Sequence, residues 1–205
     1  MRSIKGITPS LVLCANPSLN IFVARFNDVE VQLRQPRKKD SGRCRLAWAE
    51  LSENSKKRYK RANVDKQLYD MKYRCSLPLY RGEVPSWMPM IMEVGDTIVA
   101  FIDIFFKYGS SEFKKYLIKP EEKAMNASIG VIDKYQGLGF GGAYSYLTDE
   151  VGRHFNMDWI LGDTYVKGGM RNIRIRDNWE AIRTYTASSG DLMISHRKSL
   201  KEEKK

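Results

Sequence analysis

The sequence predicts a single α+β domain, and three features of the chain support this prediction. Two β-rich runs separated by a Gly-Asp turn are typical of a β-hairpin. A long basic stretch has apolar residues at helical spacing. Closer to the carboxyl terminus, a strand, a glycine-rich segment, a helix and a second strand follow one another. Because these elements fit within 205 residues, the length suits one elaborated domain better than two.

The predicted elements follow in a simple order, which their apolar periodicity and turn residues define. They are a strand at residues 20–26, its partner or continuation at 29–33, helices over 46–74, a hairpin over 90–106, a strand at 127–132, a helix at 143–155, a strand from 159, a helix at 178–185 and a last strand near 192–194.

The composition excludes several classes of protein. Hydrophobic residues make up 42% of the chain and charged residues 29%, with a formal net charge of +11, which is typical of a folded, basic, soluble protein. No apolar run reaches the roughly 18 to 20 residues that a membrane helix needs, and no secretory signal is evident. Three cysteines without a C-x-x-C pair and two histidines argue against a disulfide framework and a metal site. We therefore expect a cytoplasmic protein, monomeric or homodimeric, that uses neither a membrane nor a metal.

Basic residues are concentrated in two segments, Arg34 to Arg74 and Lys167 to Arg176. Tyrosines are interleaved with the first segment, and such a surface can bind phosphates and stack on bases. A solvated basic face without a partner is the alternative. We therefore expect an acidic or nucleic-acid-linked partner for these two segments, with that alternative left open.

The glycine-rich segment from Gln136 to Gly142 lies between a predicted strand and a predicted helix. Glycine lets the backbone approach an anion, and the N–H groups of a first helical turn bind phosphate oxygens. A phosphate-bearing ligand is therefore expected. Gly137, Gly139 and Gly142 also satisfy the G-x-G-x-x-G dinucleotide fingerprint. However, four residues separate the strand from this turn, and too few residues follow for the rest of a doubly wound sheet.

Residues 136–141, Gln-Gly-Leu-Gly-Phe-Gly, match a second signature, Q/R-x-x-G-x-G/A, and here the chain resembles the GCN5-related N-acetyltransferase (GNAT) superfamily. Residues 178–185, Asn-Trp-Glu-Ala-Ile-Arg-Thr-Tyr, are similar to the N-x-x-A-x-x-x-Y helix of that family. The family often has Pro where this chain has Asp133, and its Gly-Phe after the tyrosine helix is replaced by residues 188–191.

The resemblance covers about residues 18–197, between a lead at 1–17 and a charged tail at 198–205. It implies a single GNAT-like domain with a mixed, mostly antiparallel sheet flanked by helices. The basic helices would form an insertion between the first and second core strands.

The resemblance implies transfer of an acetyl or other acyl group from acyl-CoA to a primary amine, by direct attack in a ternary complex. The pyrophosphate of acetyl-CoA would bind at the helix start, and its pantetheine would pair with the preceding strand. The N–H group of Ile132 or a neighbour would polarise the thioester carbonyl. The implied cofactor-binding residues are Val131, Ile132, Asp133, Gln136, Gly137, Leu138, Gly139, Phe140, Gly141, Asn178 and Tyr185.

Three residues are the candidates for catalysis. Tyr185 would protonate the departing thiolate, because a phenol can donate that proton. Asn178 would orient the cofactor, and Glu93 would act as the base, with Asp133 and Asp163 as alternatives. A core tyrosine and a helix cap are the structural interpretations of Tyr185 and Asn178. The alternative function is a non-catalytic nucleic-acid-binding or structural protein that retains a GNAT-like fold.

Overall fold

A computed structural model of the chain describes residues 1–59, 71–80, 83–106 and 114–201. The strands of these residues form one sheet in the order β1-β2-β3-β4-β5-β6-β7-β9-β8. Their bounds are β1 Leu11–Asn16, β2 Ile21–Phe26, β3 Val29–Arg34, β4 Trp87–Val94, β5 Thr97–Phe105, β6 Ala124–Val131, β7 Trp159–Tyr165, β8 Glu180–Thr186 and β9 Leu192–Ser199. The helices are α1 Ser41–Ala49, α2 Glu53–Tyr59, α3 Met71–Ser76, α4 Phe140–His154 and α5 Gly169–Arg176.

Neighbouring strands of the sheet are antiparallel except at one place, where β6 and β7 run parallel. A parallel pair needs a crossover connection, and α4 provides it between these two strands. The predicted α+β class, with a mixed, mostly antiparallel sheet flanked by helices, is confirmed. Residues 29–34 form a strand of their own that pairs with β2. The basic helices α1 to α3 therefore lie between β3 and β4, and not between the first and second strands of the sheet as predicted.

The two faces of the sheet carry different helices. Alternate residues of each strand point to the same face, so Met88, Met90 and Met92 of β4 pack in the larger core with α4. Ile91 of β4 and Phe101 of β5 point the other way and pack with the cysteine and alanine side chains of α1. The helices α4 and α1 therefore lie on opposite faces.

The prediction of a helix over residues 178–185 is wrong. Residues 180–186 form β8, which pairs with β9 at the edge of the sheet, and the adjacent helix is α5, ending at Arg176. Asn178 has a left-handed backbone with φ 58°, so the helix does not continue through it. Thr184, Tyr185 and Thr186 are β-branched or aromatic and favour a strand, although the intervals of the motif also fit a helix.

The sheet extends past both ends of the segment that resembles the GNAT family. β1 lies within residues 1–17 and pairs with β2, and β9 continues to Ser199, two residues into the predicted tail. Residues 60–70 of the predicted basic helices lie outside the described residues. Within the described part of the chain, none of the helices is both long enough and apolar enough to cross a membrane.

Candidate functional site

The parallel strands β6 and β7 pair along only part of their length. Ala124–Asn126 of β6 pair with Trp159–Leu161 of β7, whereas β6 continues to Val131 and β7 to Tyr165. The space between residues 127–131 and residues 162–165 is called the splay below. It opens at the carboxyl ends of the two strands, next to the segment that leads to α4.

Main-chain groups of β6 face the splay. Ile132 donates its N–H to the carbonyl oxygen of Val99, at 3.0 Å, which fixes the direction of hydrogen bonding along the antiparallel β5–β6 pair. Because this direction alternates, Gly130 also faces β5, whereas Ile129 and Val131 face the opposite side. The two N–H groups of Ile129 and Val131 are therefore directed into the splay, where a ligand can pair with them as an added strand would.

The expected role of the Ile132 N–H does not fit this geometry. That N–H is already bonded to Val99, and the Ile132 side chain is fully buried among apolar residues. The neighbouring N–H of Val131 faces the splay instead. The N–H groups of Ile129 and Val131 are therefore available to a carbonyl group in the splay, and that of Ile132 is not.

The glycine segment forms a turn that requires glycine and then begins a helix. Gly137 and Gly139 have φ values of +79° and +102°, a region that other residues rarely adopt. Gly139 precedes the first residue of α4 and accepts hydrogen bonds from the N–H groups of Gly142 and Ala143, at 2.9 and 3.2 Å. The first N–H groups of an α-helix have no partner within the helix, and the helix dipole favours an anion there. Phe140 is 1% exposed and anchors this helix start in the core.

Two other segments pack against the glycine turn. The N–H of Ile4 donates to the carbonyl oxygen of Leu138 at 2.8 Å, and the Ile4 side chain is buried. On the other side, a Cβ atom on Gly141 would lie 2.8 Å from Cδ1 of Ile173 in α5. The helix start is thus flanked by the amino-terminal segment and by α5.

Asp133 and Gln136 connect the glycine turn to α2. The Asp133 carboxylate accepts hydrogen bonds from the Ser52 N–H at 2.8 Å, the Ser55 hydroxyl at 2.5 Å and the Gln136 amide at 2.8 Å. The hydrogen bonds from Ser55 and Ser52, that of Ser55 first, lower the pKa of Asp133. Gln136 also donates to the carbonyl oxygen of Val131 at 3.1 Å. The geometry indicates that Asp133 holds the turn in place, and its lowered pKa makes it a weak base.

Tyr185 is held against a carboxylate of β7. Its hydroxyl donates to Asp163 at 2.9 Å, and Asp163 also accepts from Lys115 at 2.9 Å and from the hydroxyl of Tyr116 at 2.9 Å. Burial raises the pKa of Asp163, but the hydrogen bond and charge of Lys115 together with the hydrogen bonds of Ser195 and Tyr185 outweigh it, so the pKa lies below its ordinary value. Asp163 lies in the part of β7 that borders the splay, and the structure therefore brings Tyr185 and Asp163 together there.

Glu93 lies in a buried ion-pair network on the face that carries α1. Its carboxylate accepts from Arg34 at 2.6 and 3.1 Å and from Arg43 at 2.7 Å, and Arg34 also pairs with Asp40 at 2.7 Å. Only 6% of Glu93 is exposed. The role of Glu93 as a base stays a prediction, but these ion pairs favour a structural role.

Asn178 is placed apart from Tyr185. It lines a cavity of about 490 Å³ together with Asp149 of α4 and Ser199 of β9. Ser199 pairs with Trp159, the first residue of β7, whereas the splay lies at the other end of that strand. The cofactor-orienting role of Asn178 stays a prediction that this position does not favour.

Arg174 lies beside the splay and is not among the predicted site residues. The sequence places it in a basic surface cluster, but the side chain is buried and donates to the carbonyl oxygen of Gly162 at 2.6 Å. No sequence signal separates it from Arg171 and Arg176, which are exposed on the same helix. Its burial follows from the packing of α5 on β7.

Several other basic residues are also used inside the molecule. Arg34 and Arg43 bind Glu93, and Arg74 binds the buried Asp103 at 2.6 Å. The exposed members of the two basic segments within the described residues include Lys38, Lys39, Arg45, Lys167, Arg171 and Arg176. Within the described part of the two segments, the basic surface is therefore smaller than the sequence suggests.

A mixed sheet with one splayed parallel pair and a glycine turn at a helix start defines the class of fold, and comparison with known proteins identifies it. No family model and no curated protein matches the chain. Among solved structures, the GNAT domain of S. lividans PAT is similar with a TM-score of 0.58 and 13% identity, covering 83% of this chain and 90% of that domain. YncA of Salmonella typhimurium, a putative acetyltransferase with its cofactor acetyl-CoA, has a TM-score of 0.55 and 12% identity, with 85% and 96% covered.

A third solved structure, Mycobacterium smegmatis RimJ in complex with CoA-disulfide, has a TM-score of 0.56 and 11% identity, covering 97% of this chain and 90% of that one. At these identities the comparison concerns the fold. The chain has the fold of the GNAT superfamily.

Proposed function

We propose that the protein is an acyl-CoA-dependent N-acyltransferase that transfers an acetyl or other acyl group to a primary amine. The observation that supports this most directly is the position of the glycine turn, at the start of α4 and at the open end of the splay. The start of α4 offers N–H groups to phosphate, and the unpaired edge of β6 offers backbone groups to an amide chain. A long ligand with a pyrophosphate and amides fits both, and two solved structures of this fold contain acetyl-CoA or CoA-disulfide.

The residues that would hold the cofactor divide into two groups. Gly139, Phe140 and Gly141 would bind the pyrophosphate through their N–H groups, with Gly137 and Leu138 shaping the turn. Val131 would pair with the pantetheine, and Ile129 would reach the acyl end of the cofactor. Gln136 and Asp133 would hold the turn in this form through their hydrogen bonds to Val131 and α2.

The chemistry of the proposal is direct attack of the amine. When bound, the acyl-CoA supplies the activated acyl thioester. The N–H of Ile129, further from the glycine turn than that of Val131, would polarise the thioester carbonyl oxygen, and Tyr185 would provide the proton for the leaving sulfur. Asp163 would orient Tyr185 through the 2.9 Å hydrogen bond, and its negative charge would attract the ammonium group of the acceptor before solvent removes its proton.

For the acceptor we propose an acidic or nucleic-acid-linked amine. The exposed Lys38, Lys39 and Arg45 and the exposed Lys167 and Arg171 support this, because such groups attract polyanions. Radiolabelled acetyl-CoA should transfer label to an acceptor in an RNA-bound fraction. Salt-sensitive retention on a polyanion column without any transfer would instead support a non-catalytic binding protein.

The proposed cofactor is tested by thermal melting with acetyl-CoA, with NAD and ATP as control ligands. A ligand at a hundred times its Kd stabilises the folded state by about 2.7 kcal/mol, and only acetyl-CoA is expected to do so. The variant Val131→Pro removes an N–H that faces the splay and leaves the β5–β6 hydrogen bonds intact. It should fold and lose much of the acetyl-CoA shift. No shift of the unsubstituted protein would overturn the proposal.

A further inference from the structure

Arg174 of α5 is a buried cation for which the described residues provide no ion-pair partner. The side chain is 3% exposed. One of its nitrogens donates to the carbonyl oxygen of Gly162 at 2.6 Å, and the guanidinium lies 4.3 Å from the ring centre of Trp179. A carbonyl group and an aromatic ring stabilise a cation less than a carboxylate does.

This arrangement is costly for the folded protein. Burial lowers the pKa of Arg174, because a charge without a partner loses its hydration, at an expense of several kcal/mol. By contrast, the buried Arg34 and Arg74 are each matched by carboxylates. An unmatched charge of this kind indicates a site at which negative charge arrives during function.

The position of Arg174 indicates where that negative charge arrives. Gly162 is the first residue of β7 after its last pairing with β6, so it lies at the closed end of the splay. Any side chain at Gly162 would collide with the guanidinium, which shows that Arg174 lies directly on β7. Ile173, which precedes Arg174 in α5, contacts the start of α4 at Gly141. The helix α5 thus places Ile173 against the start of α4 and Arg174 against β7 at the closed end of the splay.

The charges around the guanidinium are few. Tyr144 of α4, Asp163 of β7 and Tyr116, which is bonded to Asp163, favour its charged form. Burial and the charge of Arg174 keep the pKa of His196 of β9 at about 4. His196 is therefore neutral at neutral pH, and the ionised carboxylate of Asp163 is shared among Lys115, Tyr116 and Tyr185.

We propose that Arg174 stabilises the thiolate that leaves from the acyl-CoA, an assignment that rests on the proposed function. In that step the amine nitrogen forms a bond to the thioester carbonyl carbon, the C–S bond breaks, and its electron pair stays on sulfur. The surplus proton of the new amide nitrogen passes to solvent, and the sulfur takes a proton from Tyr185 or from water. A guanidinium holds its proton, so Arg174 acts by charge alone and lowers the barrier as thiolate character develops.

The test needs no acceptor. CoA itself is added to the protein, and the far-ultraviolet absorbance of its thiolate is followed against pH. In the unsubstituted protein the pKa of the bound thiol should lie at least one unit below that of free CoA. At a pH below both pKa values, the thiolate-to-thiol ratio should therefore be at least ten times higher in bound CoA than in free CoA. Arg174→Met should abolish this fall, and Arg174→Lys should retain part of it. Arg176→Met is the matched control, because Arg176 is exposed and pairs with Asp177, and it should leave the thiol unchanged.

Thermal melting of the ligand-free variants separates this role from a structural one. Arg174→Met should melt at or above the temperature of the unsubstituted protein, since it replaces an unmatched buried charge with an apolar chain. The proposal would be overturned if both Arg174 variants lost stability and the thiol of CoA bound to Arg174→Lys had the same pKa as free CoA. The same thiol pKa in bound and free CoA would also overturn it while leaving the acyltransferase proposal standing. Absence of any CoA binding by the unsubstituted protein would overturn both.

Discussion

Substituting alanine for Gly139 tests the geometry of the glycine turn, with Gly137→Ala as the matched control. Both glycines have positive φ, so alanine at either position is strained by about 1–2 kcal/mol. At Gly137 nothing lies within 4 Å of the added Cβ. At Gly139 the Cβ would lie 2.5 Å from the nitrogen of Lys5 and 2.7 Å from the carbonyl carbon of Ile4. These are backbone atoms, so the amino-terminal segment must move away.

The extra cost at Gly139 follows from what that segment contributes. Moving it breaks the 2.8 Å hydrogen bond between Ile4 and Leu138, which contributes about 1 kcal/mol, and exposes the buried Ile4 side chain, at about 1.5–3 kcal/mol. Gly139→Ala should therefore destabilise the protein by about 2.5–4 kcal/mol more than Gly137→Ala does. Urea denaturation followed by circular dichroism measures both free energies of unfolding.

Deleting residues 2–7 provides the second arm of the experiment. Without that segment the added Cβ has no such obstacle, so the two alanine substitutions should then have nearly equal costs. Equal costs in the full chain, or an undiminished difference in the shortened chain, would refute the packing of the amino-terminal segment on the glycine turn.

Three further predictions concern other parts of the molecule. Burial and Arg174 lower the pKa of the buried His196 from 6.5 to about 4, so on acidification the unfolded chain takes up a proton at a higher pH than the folded protein does. The free energy of unfolding should be constant above pH 6.5 and fall by about 3 kcal/mol towards pH 4. His196→Gln should lose this pH dependence, and its persistence in the variant would refute the assignment. Asp103→Leu removes the carboxylate that binds the buried Arg74 and should cost about 3–5 kcal/mol in denaturant unfolding; a near-neutral result would contradict a stabilising ion pair between the two residues. Tyr185→Phe should lower kcat by roughly 10²-fold or more with acetyl-CoA affinity unchanged, and unchanged turnover would remove its role as the acid.

Local signals were sufficient for several elements of the fold. The Gly-Asp turn between β4 and β5 is a two-residue signal that fixes a hairpin, and the glycines before α4 are required by their own backbone angles. The helix α4 could therefore be predicted from adjacent residues alone, although it begins at Phe140 rather than at residue 143. The phosphate site proposed at its start rests on the same residues and stays a prediction.

Features that depend on distant pairing could not be predicted in this way. The splay exists because β6 and β7 stop pairing at Asn126 and Leu161, and no local pattern records where two distant strands separate. Glu93 resembled a free carboxylate, because its partner Arg34 is 59 residues away along the chain. The strand β8 was mistaken for a helix, since an edge strand takes its conformation from pairing with β9.

The central claim, that an acyl-CoA lies along β6 with its amides paired to the strand, is tested most directly by backbone amide hydrogen exchange measured by nuclear magnetic resonance. On addition of acetyl-CoA, the amides of Ile129 and Val131 should exchange more slowly, because the ligand accepts their hydrogen bonds. The amide of Gly130, which faces β5, should change little and serves as the internal control. Binding of acetyl-CoA without added protection at Ile129 and Val131 would contradict the account.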